Sequence, residues 1–117
     1  MIIEKRYNPF MIISGQIDSF KKEEFEHTFK IGFSLISKDC LCKTLSEDRY
    51  TECLYYFLSV WPSEESLRTF TDSAEYQLLN GAFHALGKDT CTISGKVSDD
   101  HSLNRFSKMD LKKNERN

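Results

Sequence analysis

The chain has 117 residues, enough for one domain around a single hydrophobic core. Hydrophobic residues make up 39% and aromatics 13%, with nine phenylalanines, a composition that excludes a disordered chain. A formal charge of -2 gives no electrostatic basis for a nucleic-acid or anionic-membrane partner, and no apolar run reaches the roughly 20 residues of a transmembrane helix.

The opening residues, MIIEKRYNPF, carry a charged pair where a signal peptide has its apolar region. The chain therefore reads as cytoplasmic, with Cys40, Cys42, Cys53 and Cys91 reduced. Residues 1–7 read as a short strand or a loose arm. A first strand is predicted over residues 10–17 (FMIISGQI), which are rich in β-branched and aromatic side chains. Asp18 or Ser19 then caps a helix. At 100° per residue, Phe25, Phe29, Gly32, Phe33 and Ile36 share its apolar face, opposite Glu23, Glu26, His27, Lys30 and Ser34.

A second strand is expected over residues 40–45 and a polar turn over residues 46–49. The third strand spans about residues 51–61. Alternation sends Cys53, Tyr55, Phe57, Ser59 and Trp61 to one face and Leu54, Tyr56, Leu58 and Val60 to the other. Ser63 caps a second helix whose first turn carries Glu64 and Glu65, where the helix dipole favours negative charge. Leu67, Phe70, Ala74, Leu78, Ala82, Ala85 and Leu86 form its expected stripe, with a kink at Asp72-Ser73 and a left-handed cap at Gly87. A fourth strand fits residues 90–97. The order β-α-β-β-α-β gives an α+β fold of the ferredoxin-like type over residues 1–98, followed by a polar tail over 99–117 in which Leu103, Phe106 and Leu111 suit one weak helical turn.

Two helices cover one face of such an antiparallel sheet, and the open face is ordinarily polar. Here both faces of the third strand are apolar. Left in water, either set makes a large exposed patch. A second copy packed sheet against sheet, an isologous homodimer, removes it, and the rival is an arm or tail folded over the same face.

The stretch Trp61-Pro62-Ser63-Glu64-Glu65-Ser66-Leu67, with Phe70, Ser73, Tyr76 and Leu79 beyond it, resembles the antibiotic biosynthesis monooxygenase superfamily. The first strand followed by Lys21-Lys22-Glu23-Glu24-Phe25 fits the same family. The resemblance covers residues 10–97 and implies a dimeric α+β barrel. It implies cofactor-free oxygenation of quinol-like or polyketide-like substrates as the leading activity. The haem-degrading branch uses a first-strand asparagine and a tryptophan and histidine on the second helix. Those positions fall near Ile13 or Ser14, on Phe70 and on Asn80, so the resemblance implies no haem degradation. Many other members carry a histidine near the Phe70 position, which this chain lacks.

No metal, phosphate or nucleophile motif stands out, and no cofactor is expected. Cys40-x-Cys42 puts two thiols on one strand face, but a zinc site wants wider spacing and a second pair, so small buried hydrophobes are the better reading. His84 lies with Gln77, Asn80 and Lys88 on the polar side of the second helix; it suits a general base, against the plainer reading of a solvated face. His27 and His101 read as surface residues. Glu75 projects into the apolar arc, where burial would raise its pKa, unless Ser73 restarts the helix and leaves it in a first turn. The polar candidates are thus Glu75, Asn80 and His84, beside Tyr55, Trp61, Phe70 and Tyr76 as walls for a small aromatic ligand, with plain core packing as the alternative for the rings. A non-catalytic ligand-binding or structural dimer of the same fold is the second functional reading.

Overall fold

The computed structural model describes residues 7–98. Residues 1–6 and the tail over 99–117, with His101, Leu103, Phe106 and Leu111, lie outside the described residues. Strand β1 (Tyr7–Ile17) leads through a short 3-10 turn (Ser19–Lys21) into helix α1 (Lys22–Ser34). Strands β2 (Cys42–Glu47) and β3 (Leu54–Val60) follow, then helices α2 (Glu64–Thr71) and α3 (Ala74–Leu86), and finally strand β4 (Gly87–Ser98). All pairings are antiparallel, and the sheet order is β2-β3-β1-β4. This is the expected α+β, ferredoxin-like arrangement. No helix among the described residues is long and apolar enough to cross a membrane.

The period-2 reading of β3 holds. Tyr55, Phe57, Ser59 and Trp61 are buried beneath the helices, and Met11, Ile13 and Ile17 of β1 join them. Leu54, Leu58 and Val60 face away and are half-buried, and Tyr56 among them is exposed. From β1, Phe10 and Ile12 share that outer face, because Phe10 pairs with Val60 and Ile12 with Leu58. Residues directly opposite in a ladder point the same way.

Helix α1 buries Phe25, Phe29 and Gly32, with Phe33 partly covered and Ile36 buried just past its end. Asp18 accepts a hydrogen bond from the Phe20 amide at 3.0 Å and so caps the 3-10 turn rather than α1 itself. At Gly32 the helices touch. A Cβ there would lie 2.7 Å from Leu79 Cδ2, so α1 and α3 approach more closely than a side chain allows.

Four expectations need correction. Strand β2 begins at Cys42, so Cys40 lies outside it and the two thiols do not share a strand face. The Cys40 thiol instead donates to the Cys42 carbonyl at 3.1 Å. The long second helix is two helices. Ser73 accepts from the Tyr76 amide at 3.2 Å and starts α3 afresh, as a second N-cap. That restart shifts the buried stripe: Leu79, Ala82 and Phe83 are buried, while Ala74, Leu78 and Ala85 are exposed. Gly87 is not left-handed. Its φ of -142° is extended backbone, and the glycine is required by space, since a Cβ would meet Gln16 O at 2.7 Å and Phe83 O at 2.9 Å.

Among the polar ties between sheet and helix, one is built on an inward residue of β3. The Tyr55 hydroxyl donates to Glu26 Oε1 at 2.7 Å, and the Tyr55 ring lies 4.8 Å from that of Phe25. Burial first, and then the Glu26 carboxylate, push the Tyr55 hydroxyl far above its ordinary value of 10.0. The Tyr56 hydroxyl is pushed up too, chiefly by its hydrogen bond to Asp48.

Two measurements check this packing. Gly87→Ala should destabilise by about 1–3 kcal/mol, because the obstacles are backbone carbonyls that cannot rotate away. Gly81→Ala, with nothing within 4 Å of the new methyl, should stabilise by about 0.5–1 kcal/mol in the same urea titration. For Tyr55, the folded state holds the phenolic proton more tightly than the unfolded chain does. Its contribution is therefore complete below pH ~10 and is lost as the pH rises beyond that. Tyr55→Phe should cost about 1 kcal/mol at pH 7 and flatten the fall in stability above pH ~10, leaving the smaller slope from Tyr56.

Candidate functional site

The last inward positions of β3 bring the candidate walls together. Trp61 follows Val60 at the strand end, and its amide donates to the Pro9 carbonyl at 2.8 Å, which anchors the turn into α2. Ser63 accepts from the Ser66 amide at 3.1 Å and fixes where α2 begins. One turn later Phe70 stacks on Trp61, with ring centroids 4.8 Å apart and an interplanar angle of 27°. Tyr76, at the start of α3, meets Phe70 edge-on at 5.4 Å. Trp61, Phe70 and Tyr76 thus form one aromatic group, and Phe57 connects it to the interior at 6.5 Å from Phe70.

Beside this group lies a cavity of about 270 Å³. Trp61 and Phe70 give it a buried aromatic wall, and Asp39, Glu65 and Glu75 contribute carboxylates. Hydroxyls come from Ser37, Ser66, Thr69 and Ser73, of which Ser66 and Ser73 are engaged in helix capping. Glu75 sits in the first turn of α3, half-buried, because Ser73 has restarted the helix; the restart reading of this residue is the one the structure bears out. The Trp61 indole is 1% exposed, yet its Nε1–H has no hydrogen-bond acceptor among the described residues. A buried donor left unpaired costs on the order of 1–3 kcal/mol.

The remaining candidates stand elsewhere. Tyr55 is committed to Glu26 and the Phe25 ring, and lines no cavity described here. Asn80 is half-buried on α3, and His84 is exposed one turn further on; neither borders this cavity. His27 is exposed. Asp39 and Glu65 were not singled out by sequence. Glu65 reads there as a helix-dipole residue, and Asp39 carries no signal, because its place depends on the loop before β2 folding under Trp61.

A larger cavity of about 480 Å³ opens at the opposite end of β3, against Gln16, Ile17, Cys53 and Lys88 among others. It has no aromatic lining and none of the candidate residues. Cys53 there adopts φ +64°, a left-handed conformation uncommon outside glycine; its amide donates to Glu47 Oε2 at 2.8 Å and its carbonyl accepts from Ile17. Burial pushes the Cys53 thiol up, which keeps it protonated near neutral pH. Among the described residues no group of three or more His, Cys, Asp or Glu side chains is arranged to hold a metal ion.

No family model matches the sequence, and no curated protein matches it. Solved structures do. A conserved protein from Methanosarcina mazei Go1 superposes with a TM-score of 0.68 at 16% identity, covering 75% of this chain and 90% of that one. A Caulobacter crescentus CB15 protein, provisionally named an antibiotic biosynthesis monooxygenase, gives 0.67 at 15% identity, covering 79% and 89%. A further structure, named an antibiotic biosynthesis monooxygenase, gives 0.66 at 14% identity, covering 74% and 95%. At such identities the likeness is one of fold, and the fold of this chain is that of the antibiotic biosynthesis monooxygenase proteins.

Proposed function

We propose that this chain is a monooxygenase-like oxidoreductase that binds a small quinol-like substrate at the Trp61–Phe70 cavity and works as a homodimer in the cytoplasm. The observation that carries the reading is the junction of stacked rings and a carboxylate, Glu75, at one cavity on this fold. Volume narrows the substrate. An engineered apolar cavity of about 150 Å³ holds benzene, so 270 Å³ suits one or two rings and is small for an extended polyketide. Oxygenation without a bound cofactor requires a substrate that itself supplies an electron to oxygen. Loss of a phenolic proton makes it a better donor, and Glu75 is the candidate base that borders the cavity. Trp61 and Phe70 would exclude water and hold the ring flat, while Tyr76 does not line the cavity and supports Phe70 edge-on from beside it.

The dimer rests on the outer face of the sheet. Leu54, Leu58, Val60, Phe10 and Ile12 are only half-covered there, Tyr56 is 37% exposed, and Ile93 of β4 is 54% exposed. These residues form one continuous apolar surface across three strands, suited to an identical surface on a second copy.

Oxygen consumption with a panel of one- and two-ring hydroquinones tests the activity. Turnover should fall about 100-fold in Glu75→Gln with the fold intact by circular dichroism. Absence of uptake with every member of the panel overturns the monooxygenase reading; retained binding without uptake is the result the ligand-binding alternative requires. For assembly, sedimentation should give a dimer at micromolar concentration and a monomer for Leu58→Glu. A monomeric parent protein refutes the dimer.

A further inference from the structure

The end of the sheet opposite Trp61 carries a protrusion and a hollow side by side. Phe20, the middle residue of the 3-10 turn, is 95% exposed, more than any other large apolar side chain among the described residues. Its backbone is nonetheless held. The Phe20 amide donates to Asp18 Oδ1 at 3.0 Å, the Lys21 amide donates to the Asp18 carbonyl at 2.8 Å, and the Asp18 amide donates to the Leu86 carbonyl at 3.1 Å. The turn is thereby pinned to the end of α3, and the ring projects from a fixed base. An aromatic side chain on a fixed base has little entropy to lose, which suits it to anchor an interface. Ser19 and Lys21, on either side of Phe20, line the cavity of about 480 Å³, and Phe20 itself does not. Ile17 and Cys53 are buried in its apolar floor, and Leu86 is half-buried there. A benzene ring fills a cavity of about 150 Å³, so the hollow has room for a phenyl group and supplies none of its own.

Two further observations select the occupant. The charged lining is balanced, Lys21 and Lys88 against Asp18 and Glu52, and none of the four forms an ion pair among the described residues. A hollow built for a small ion would carry an excess of the opposite sign. A balanced lining is instead its own complement once turned over by a two-fold axis. The shape has the same property. A knob beside its own hole is self-complementary, because an axis midway between them sets each knob in the other copy's hole. We infer that this end of the domain is a second self-association surface, at which Phe20 of each copy enters the Ile17–Leu86 cavity of the other. Phe20 belongs to the turn and not to the outer face of the sheet, so the contact is separate from the sheet-on-sheet dimer and does not rest on it. Two rings and their rims bury less than the roughly 1,200 Å² of a stable interface, so association is weak, with a dissociation constant on the order of 0.1 mM. Acting together, the two contacts join dimers into larger assemblies.

Sedimentation of the full chain at two concentrations tests this. In Leu58→Glu, which removes the sheet contact, a monomer at about 5 µM should become a dimer at about 0.5 mM. Adding Phe20→Ser removes the knob, and adding Ala85→Arg fills the hollow; either should weaken this association about tenfold. Phe20 is almost wholly in solvent, so its loss should leave the circular dichroism unchanged. Leu35→Ser, at an exposed apolar residue about 20 Å away past the far end of α1, should leave the association unchanged. Phe20→Ser in the otherwise unaltered chain repeats the comparison without Leu58→Glu, and should suppress growth beyond the dimer. No association at about 0.5 mM leaves the cavity to a ligand or another protein and overturns the inference, as does association that Phe20→Ser leaves unweakened. A parent chain that is monomeric at about 5 µM and associates through Phe20 at about 0.5 mM would sink the sheet dimer alone. A dimer that never grows would sink this inference alone.

Discussion

The packing of phenylalanine rings between helices and sheet is the constraint on which the rest of this domain depends. Phe29 of α1 meets Phe57 of β3 at 5.1 Å and Phe83 of α3 at 5.8 Å, both edge-on at 70° and 87°. Phe25 completes the group, 5.1 Å from Phe83 and 5.5 Å from Phe29. Edge-on rings place a positive rim against a negative face, a geometry worth about 0.5–1.5 kcal/mol per pair beyond the area it buries. The four rings are essentially inaccessible to solvent. They fill the space between the layers, and the proposed ligand site lies where the ring system reaches the periphery. That place is the Trp61–Phe70–Tyr76 group, the outer end of the same aromatic chain.

The break at Ser73 shapes the cavity at this periphery. Its hydroxyl donates to the Phe70 carbonyl and accepts from the Tyr76 amide, closing α2 and opening α3 with one atom. Two short helices then satisfy two demands that one long helix cannot. Helix α2 presents Leu67 and Phe70 to the core near Trp61, and α3 independently presents Leu79, Ala82 and Phe83 to α1 and β1. The new N-terminus also explains the position of Glu75. A carboxylate in a first turn is favoured by the helix dipole, and here that turn lies at the cavity wall. The local helix rule and the site share one residue.

Much of this was legible in the sequence where the information is local. The alternation 55-57-59-61 against 54-56-58-60 assigns both faces of β3, and the spacing of Phe25, Phe29 and Gly32 assigns the buried side of α1. The stripe on α3 falls out of phase with the sequence pattern because a periodicity carried through Ser73 keeps counting from α2, whereas the restarted helix keeps its own phase. Gly87 misled because a glycine after a helix suggests a left-handed cap. Its cause is instead the lack of room beside the Phe83 carbonyl, one helical turn back, and the Gln16 carbonyl, which lies in a part of the chain some seventy residues away. Tyr55 is similar. Its inward direction follows from the period of two, but its engagement depends on which residue of α1 lies opposite, and Glu26 stood on the polar side of the wheel. Asp39 enters the site only through the path of a loop. Periodicity yields faces; contacts between distant segments, which complete a cavity, are not written in any one window.

The two faces of β3 are also coupled through the backbone. Val60 belongs to the outer face and Trp61 to the inner one, and they are consecutive residues. The Val60 carbonyl accepts from the Leu41 amide at 2.8 Å, and the Trp61 amide donates to the Pro9 carbonyl at the same distance, so the peptide that joins outer face to cavity wall is held from both sides. Packing a second copy against Val60, Leu58 and Phe10 would restrict the same strand end that carries the indole. In that arrangement the outer face does more than hide apolar surface. It lowers the freedom of Trp61 before any ligand arrives, and an ordered wall loses less entropy on binding than a mobile one. This offers a physical reason for a strand so short to be apolar on both sides: one face fills the domain, and the other, in the proposed dimer, would steady the residue that walls the proposed site.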